Sequence, residues 1–326
     1  MDWLSGWKYR KSHVIKGSSA GDVTDYQIRI TVHYGSGTDN GEHVYLNGKC
    51  RSDFGDVRFT ADDGVTELPY WIEEKVDGDY AIFWVKVPYI PADPNTTTIY
   101  IYYGNPNATT TSNGDATFIF FDDFLGTSLD TNKWTRRTKG TAYLTIEDSI
   151  CKLSTPVGTE NQQHIMSKIG IGLNGAMHIK YKMLAPYEVF LALASSYDTT
   201  KYFLPADDYI MGRRSYRSGF PSNFVVSIND VQQAEVNVAN PSYNVWYIEE
   251  FRLKDGKQQN TRDDTILATH TVSGMPSETY YVFIGEVSAY DASFEVWIDY
   301  VFLRKWVDPE PAHDVWGTEE VSPQQI

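Results

Sequence analysis

Cysteine is nearly absent: the 326 residues hold two, Cys50 and Cys151. They stand far apart in the chain, so no disulfide is expected between them and no disulfide scaffold can be read. Positive charge is scarce as well. Twenty-eight Lys and Arg face 43 Asp and Glu, a net charge of −15, which removes the basic footprint a nucleic-acid binder needs. No apolar run approaches the ~18 residues of a membrane span. The opening Met1-Asp2-Trp3-Leu4 runs into Trp7-Lys8-Tyr9-Arg10-Lys11 without the apolar core of a leader. That leaves a cytosolic protein, a virion part, or a piece of a larger secreted protein.

Catalytic signatures are missing too. There is no Cys-x-x-Cys, no G-x-S-x-G elbow and no Walker loop, and the seven histidines show no metal-ligand spacing. Zinc, serine-hydrolase and nucleotide chemistry therefore have no support. Gly170–Gly175 reads GIGLNG, but the AMHIKYKML that follows alternates like a strand, so a glycine-rich turn is expected rather than a dinucleotide loop. No repeat stands out, and no amphipathic helix exceeds about two turns.

What is present is aromatic and alternating. Aromatics make up 14% of the chain, with 23 Tyr and 9 Trp, a composition that suits half-buried pleated surfaces. Tyr80–Ile90 (YAIFWVKVPYI) and Thr97–Gly104 (TTIYIYYG) read as strands. Asp56–Val76 reads as two strands paired around an Asp62-Asp63-Gly64 turn. Arg58 is expected to pair with Asp56 or Asp62, and Trp71 and Trp84 to lie in the core. Asp53, Asp56, Asp62 and Asp63 read as turn carboxylates that cap backbone N–H groups; calcium is the alternative use. Residues 104–117 are small, polar and rich in breakers, which marks a domain boundary. The last stretch, VDPEPAHDVWGTEEVSPQQI, reads as a Pro/Glu-rich tail.

Two resemblances follow from particular residues. Asp53–Asn105, with GWKYRKSHVI near the start, resembles the domain-of-unknown-function family 2341 of archaeal and bacterial surface proteins. That resemblance implies a small β-sandwich and assigns no catalytic residue. DDFLGTSLDTNKW (Asp122–Trp134), VWYIEEFRLKDGK (Val245–Lys257) and FEVWIDYVFLRKW (Phe294–Trp306) resemble opening, central and closing strands of concanavalin A-like jelly rolls. These include family-16 glycoside hydrolases and laminin-G-like lectin domains. The expected organisation is all-β, with two β-sandwich domains in tandem: 1–115, 118–306 as a concanavalin A-like jelly roll, and a tail at 307–326.

Glycoside hydrolysis needs two carboxyl groups at set separations. The resemblance implies a Glu-x-Asp-x-x-Glu run on one mid-domain strand. Where it would fall, the chain reads DDYIMGRRSYRSG (Asp207–Gly219), with arginines in place of acids. Glu295 and Asp299 are spaced to share a strand face but lie on the closing strand, and Glu249 and Glu250 are adjacent and point oppositely. The expectation is a non-catalytic module, with a hydrolase of non-standard catalytic residues as an alternative.

The jelly-roll resemblance also implies a structural calcium near the first and last strands, with Asp299 and Asp122 or Asp123 as ligands. A hydrogen-bonded strand carboxylate at Asp299 is the other reading. For binding, Tyr209, Met211, Arg213 and Ser215 alternate on one face, and Ile210, Gly212, Arg214 and Tyr216 on the other. Tyr209, Arg213, Arg214, Tyr216 and Arg217, with Tyr243, Glu286 and Tyr290, form the candidate ligand set: rings to lie under a sugar and polar groups for its hydroxyls. The partners implied are glycans or other surface proteins, with no nucleic acid and no membrane insertion. The place implied is the cell surface or the extracellular space, or a virion. A structural subunit of a surface layer, filament or virion fibre is the competing role.

Overall fold

The computed structural model describes residues 2–157, 161–184, 188–197, 205–215, 221–287 and 294–323. The chain divides into two compact units, residues 1–118 with 307–326, and residues 119–306. Unit 1 opens with β1 (Tyr9–Lys16), β2 (Val23–His33), β3 (His43–Tyr45), β4 (Arg58–Thr60), β5 (Tyr70–Val76), β6 (Tyr80–Ile90) and β7 (Thr96–Tyr103). A single helical turn, α1 (Gly114–Thr117), follows, capped by the Asn113 side chain on the Ala116 N–H at 3.0 Å. β1, β7 and β4 lie in one sheet; β3, β2, β6 and β5 form the other. Their facing sides close over Ile30, Val32, Phe59, Phe83, Val85 and Ile101. Phe59, Tyr70 and Phe83 meet pairwise at 5.3–5.9 Å, contacts of about 0.5–1.5 kcal/mol each beyond their burial.

The expected hairpin between β4 and β5 does not form. Gly64, at φ +80°, makes the turn, and Leu68 N–H reaches Phe59 O at 2.8 Å. The chain then crosses to the other sheet, where β5 pairs with β6 while β4 pairs with β7. Both segments alternate, and both bury their apolar side by packing on opposite layers. Trp71 and Trp84 are buried and meet Phe118 edge-on. Arg58 finds Glu67 at 3.4 Å rather than Asp56 or Asp62. Asp56 is spent on the backbone N–H groups of Arg51, Gly104 and Asn105, Asp53 on Arg51, and Asp63 on Val65 and Thr66. Residues 104–117 are not a loose connection. Thr109 O accepts from Arg58, Ser112 Oγ from Ile72 N–H, and Asn113 N–H reaches Tyr70 O.

Unit 2 comprises β8 (Phe120–Asp122), β9 (Trp134–Lys139), β10 (Tyr143–Glu147), β11 (Ile150–Thr155), β12 (Gln162–Ile171), β13 (Gly175–Met183), β14 (Glu188–Tyr197) and β15 (Pro205–Ser215). It continues with β16 (Asn223–Ile228), β17 (Val231–Asn237), β18 (Tyr247–Lys254), β19 (Lys257–Arg262), β20 (Thr265–His270), β21 (Tyr280–Val287) and β22 (Phe294–Lys305). One sheet of eight strands runs β10-β11-β22-β13-β18-β19-β20, with β8 beside β22; the other runs β17-β16-β15-β14-β21-β12-β9. Ile165, Ile179, Leu191, Leu193, Ile210, Phe251, Ile284 and Val301 fill the layer between them. GIGLNG is the turn between β12 and β13. The opening and closing strands pair, Phe120 opposite Leu303 and Asp122 opposite Val301, so the unit's two chain ends are neighbours.

The segment after residue 306 is not a tail. It forms β23 (Ala312–Trp316) and β24 (Glu320–Val321), both paired antiparallel with β1. Unit 2 is thus inserted in the chain of unit 1 rather than following it. The acids that read as a solvated tail are anchors: Glu320 pairs with Arg10 at 2.7 Å, Asp314 with Lys16 at 3.1 Å, Glu319 with Lys49, and Glu310 accepts from Tyr26 at 2.6 Å.

Candidate functional site

The outer face of the seven-stranded sheet is built by period-2 alternation along five paired strands. Across one row, Met166 (β12), Phe283 (β21), Ala192 (β14), Met211 (β15) and Val225 (β16) stand opposite one another. The rows on either side add His164, Phe190, Arg213 and Asn223, then Tyr281, Ala194, Tyr209 and Ser227. The alternate residues Val189, Leu191, Leu193, Ile210, Val282 and Ile284 point into the core. Phe190, Ala192, Ala194 and Phe283 form their own apolar cluster on this outer side, with Tyr197, Tyr209 and Met211 against it. Gly285 leaves room there: a Cβ would come within 2.6 Å of the Phe283 ring.

At one border His164 lies between the Tyr197 ring, at 4.5 Å, and the Phe283 ring, at 5.0 Å. Burial, with the nearby Arg137 charge, lowers its pKa to about 4, so it stays a neutral ring at pH 7. Arg137 donates to Tyr197 Oη at 3.1 Å. At the other border Arg213 reaches Pro221 O at 3.3 Å and lies 3.9 Å from Glu235. Burial pushes the Tyr209 hydroxyl up. Rings, a thioether and two guanidinium groups thus share one sheet face, which suits a ligand with an apolar side and peripheral hydroxyls.

Arg214 belongs elsewhere. Its side chain is fully buried and points between the sheets, where Nη2 meets Glu249 at 2.5 Å and Asn260 Oδ1 at 2.7 Å. Arg262 Nε and Tyr181 Oη each donate to the same carboxylate at 2.8 Å. Burial alone would raise Glu249, but the Arg214 and Arg262 charges outweigh it and hold the carboxyl down at about 2. The sequence-based ligand role for Arg214 is therefore corrected: alternation puts it with Ile210 on the core side, and the buried carboxylate of β18 explains a cation there. Glu250, next in sequence, points to the opposite side, where Arg304 holds it bidentately at 2.8 Å and His178 lies at 3.2 Å.

The remaining expected residues scatter. Tyr243 lies exposed in the connection between β17 and β18. Glu286 sits in β21 opposite Gln163 and Val189; its side chain, with Tyr216, Arg217 and Tyr290, lies outside the described residues. Of the expected calcium ligands Asp122, Asp123 and Asp299, the first and last are engaged by protein groups. Asp122 is buried, with its oxygens taken by Trp134 Nε1 at 2.5 Å and Phe124 N–H at 2.8 Å. Asp299 carries the Lys180 ammonium at 2.8 Å. Among the described residues no group of three His, Cys, Asp or Glu is placed to hold a metal. A bulge at Asp299 also breaks the regular alternation from Glu295, with Lys180 facing Tyr300 and Tyr181 facing Ile298. Glu295 itself accepts from the Trp297 indole. Phe190 and Phe283 escaped the sequence reading because β14 and β21 are apolar on both faces, and alternation cannot then mark the outer one.

Comparison with known proteins gives three findings. The family described as Domain of unknown function (DUF2341) matches residues 53–137. Among solved structures, the chain is similar to a β-1,3-glucanase from Mycobacterium marinum (13% identity, TM-score 0.45, covering 57% of this chain and 98% of that one). It is likewise similar to LamAcat from Zobellia galactanivorans (14%, 0.46, 58% and 97%) and a glycosyl hydrolase family 16 protein from Mycobacterium smegmatis (11%, 0.46, 57% and 99%). No curated protein matches the sequence.

Proposed function

We propose that unit 2 is a carbohydrate-binding module that holds a glycan on the outer face of its seven-stranded sheet and does not cleave it. The observation that carries this reading is the single face shared by Tyr209, Met211, Arg213, Phe190, Phe283 and Tyr197. One pair of carboxylates on that face, Glu188 and Glu235, is too widely spaced for cleavage. Glu188 stands on β14, where it accepts from Ser215 at 3.1 Å, and Glu235 stands on β17. Three strand spacings separate them, roughly 14 Å at about 4.8 Å each, beyond the ~5–9.5 Å over which glycosidases place their two carboxyl groups. On this reading the chain works at a cell surface, where glycans are met. No helix among the described residues is long and apolar enough to cross a membrane.

The test is a glycan array followed by calorimetry, with Tyr209→Ala and Arg213→Ala as variants. Each is expected to weaken binding by at least about tenfold, the scale of one lost stacking or charge-assisted contact. Binding to no sugar, or binding indifferent to both variants, sinks the proposal. A second reading, hydrolysis with non-standard residues, is favoured by one observation: burial and a hydrogen bond that the protonated Glu278 donates to the Asp208 carboxylate raise the Glu278 carboxyl, as a proton donor requires. Reducing ends released from a polysaccharide panel and abolished by Glu278→Gln would establish it.

A further inference from the structure

Unit 1 holds a cavity of about 760 Å³ between the start of β1, the loop after β3 and the loop after β7. Its volume falls in the range of small-ligand sites. Three cations line it, Lys8, Lys49 and Arg51, in a chain whose net charge is −15. The frame is rigid. Asp56, almost wholly buried, accepts from Arg51 N–H at 2.8 Å, Gly104 N–H at 2.7 Å and Asn105 N–H at 3.0 Å, and so ties the two loops together. Gly104 stands at φ +87°, and a Cβ there would meet the Tyr9 ring at 2.7 Å, so only glycine fits that wall. Tyr9 stacks on Tyr103 at 5.6 Å, and the Lys8 and Lys49 ammonium groups lie 5.4 and 4.7 Å from its ring centroid.

The cations differ in what they hold. Arg51 is engaged by Asp53 through two bonds of 2.8 and 2.9 Å and donates to Pro106 O. Lys49 pairs with Glu319, whose other oxygen accepts from Tyr103 Oη at 2.8 Å. Among the described residues, Lys8 has no ion-pair partner. Two of the three cations are thus matched by internal carboxylates, Asp53 and Glu319, and the half-buried Lys8 ammonium is left for a ligand's acid group. Asn105 and Asn107 add amide groups to the same wall. An ammonium without an ion-pair partner in a concave wall attracts an anionic group, and amides with a tyrosine suit hydroxyls.

We propose that this cavity binds an anionic saccharide unit, with its acid group on Lys8 and its hydroxyls on Asn105 and Asn107. The site is separate from the sheet face of unit 2, so Tyr209→Ala should leave it untouched. The test is calorimetric titration of the full chain with four probes: glucuronate, N-acetylglucosamine 6-sulfate, glucose and inorganic phosphate. Saturable binding of glucuronate or the sulfated sugar, with no binding of glucose, is expected; which of the two binds separates a carboxylate from a sulfate source. Lys8→Ala should weaken it at least about tenfold, the worth of one charge-assisted contact. Asn107→Asp, at an exposed position that cannot compromise the core, should do the same by placing a like charge beside the ligand. Binding of phosphate alone, of no probe, or binding unmoved by either variant would overturn the proposal.

Discussion

Replacing Arg214 with Met separates a core role from a ligand role. In the native unit the guanidinium gives Glu249 bonds of 2.5, 3.0 and 3.2 Å and also donates to Asn223 O at 2.9 Å. Met keeps the length and the apolar stem but leaves a fully buried carboxylate short of a cation. Breaking one partner of a buried pair costs about 3–5 kcal/mol. Arg262 and Tyr181 still reach Glu249 at 2.8 Å, which puts the loss at the low end, about 3 kcal/mol. Linkage gives the same scale: holding Glu249 at about 2 instead of its ordinary 4.5 is worth about 3 kcal/mol in the charged range. For a unit of this size that corresponds to a fall in Tm of roughly 6–12 °C. Because the folded pKa is depressed, the contribution is complete above pH 4.5 and is lost as pH falls toward 2. Calorimetry of the full chain from pH 7 down to 2 measures both effects, and Arg214→Met should flatten the acid limb. The double variant Arg214→Met with Glu249→Gln should recover part of the loss, since the uncompensated buried negative charge is then gone while the amide oxygen still accepts from Arg262 and Tyr181. An Arg214→Met protein with unchanged Tm and lost glycan affinity would refute the placement of Arg214 in the core.

Two further outcomes concern unit 1. His13 Nε2 meets His313 Nδ1 at 2.8 Å beneath the Trp316 ring, and burial lowers its pKa to about 3 from 6.5. The folded form therefore resists the proton that the unfolded chain takes up, so stability is full above pH 6.5 and declines as pH falls toward 3. Tm measured across that range should drop in the native chain and drop less in His13→Phe. Truncation after Trp306 removes β23 and β24 and bares the outer edge of β1. Light scattering should then show self-association through that edge, and a truncated chain that stays monomeric with native Tm would show the segment dispensable.

Much of the fold was legible because strands announce themselves locally. Tyr80–Ile90 and Thr97–Gly104 alternate, Gly64 turns the chain, and Trp71 and Trp84 belong to a core. The adjacency of Glu249 and Glu250 alone says that they face opposite ways on β18, and the 209-211-213 spacing alone groups Tyr209, Met211 and Arg213. Which of two faces lies inside was not legible. On β14, Phe190 and Leu191 are equally apolar, and only the facing sheet makes one core and the other outer surface. Arg214 reads as a ligand residue until the carboxylate that claims it, 35 positions later in the chain, is placed across the layer. The acids of the last stretch read as a solvated tail until β1 returns alongside them with Arg10 and Lys16. Periodicity is set by neighbours in sequence, and so the sequence by itself determined strands, turns and class. Sheet membership, the direction of Arg214 and the insertion of one unit within the other depend on pairings between distant residues, which only the packed structure decides.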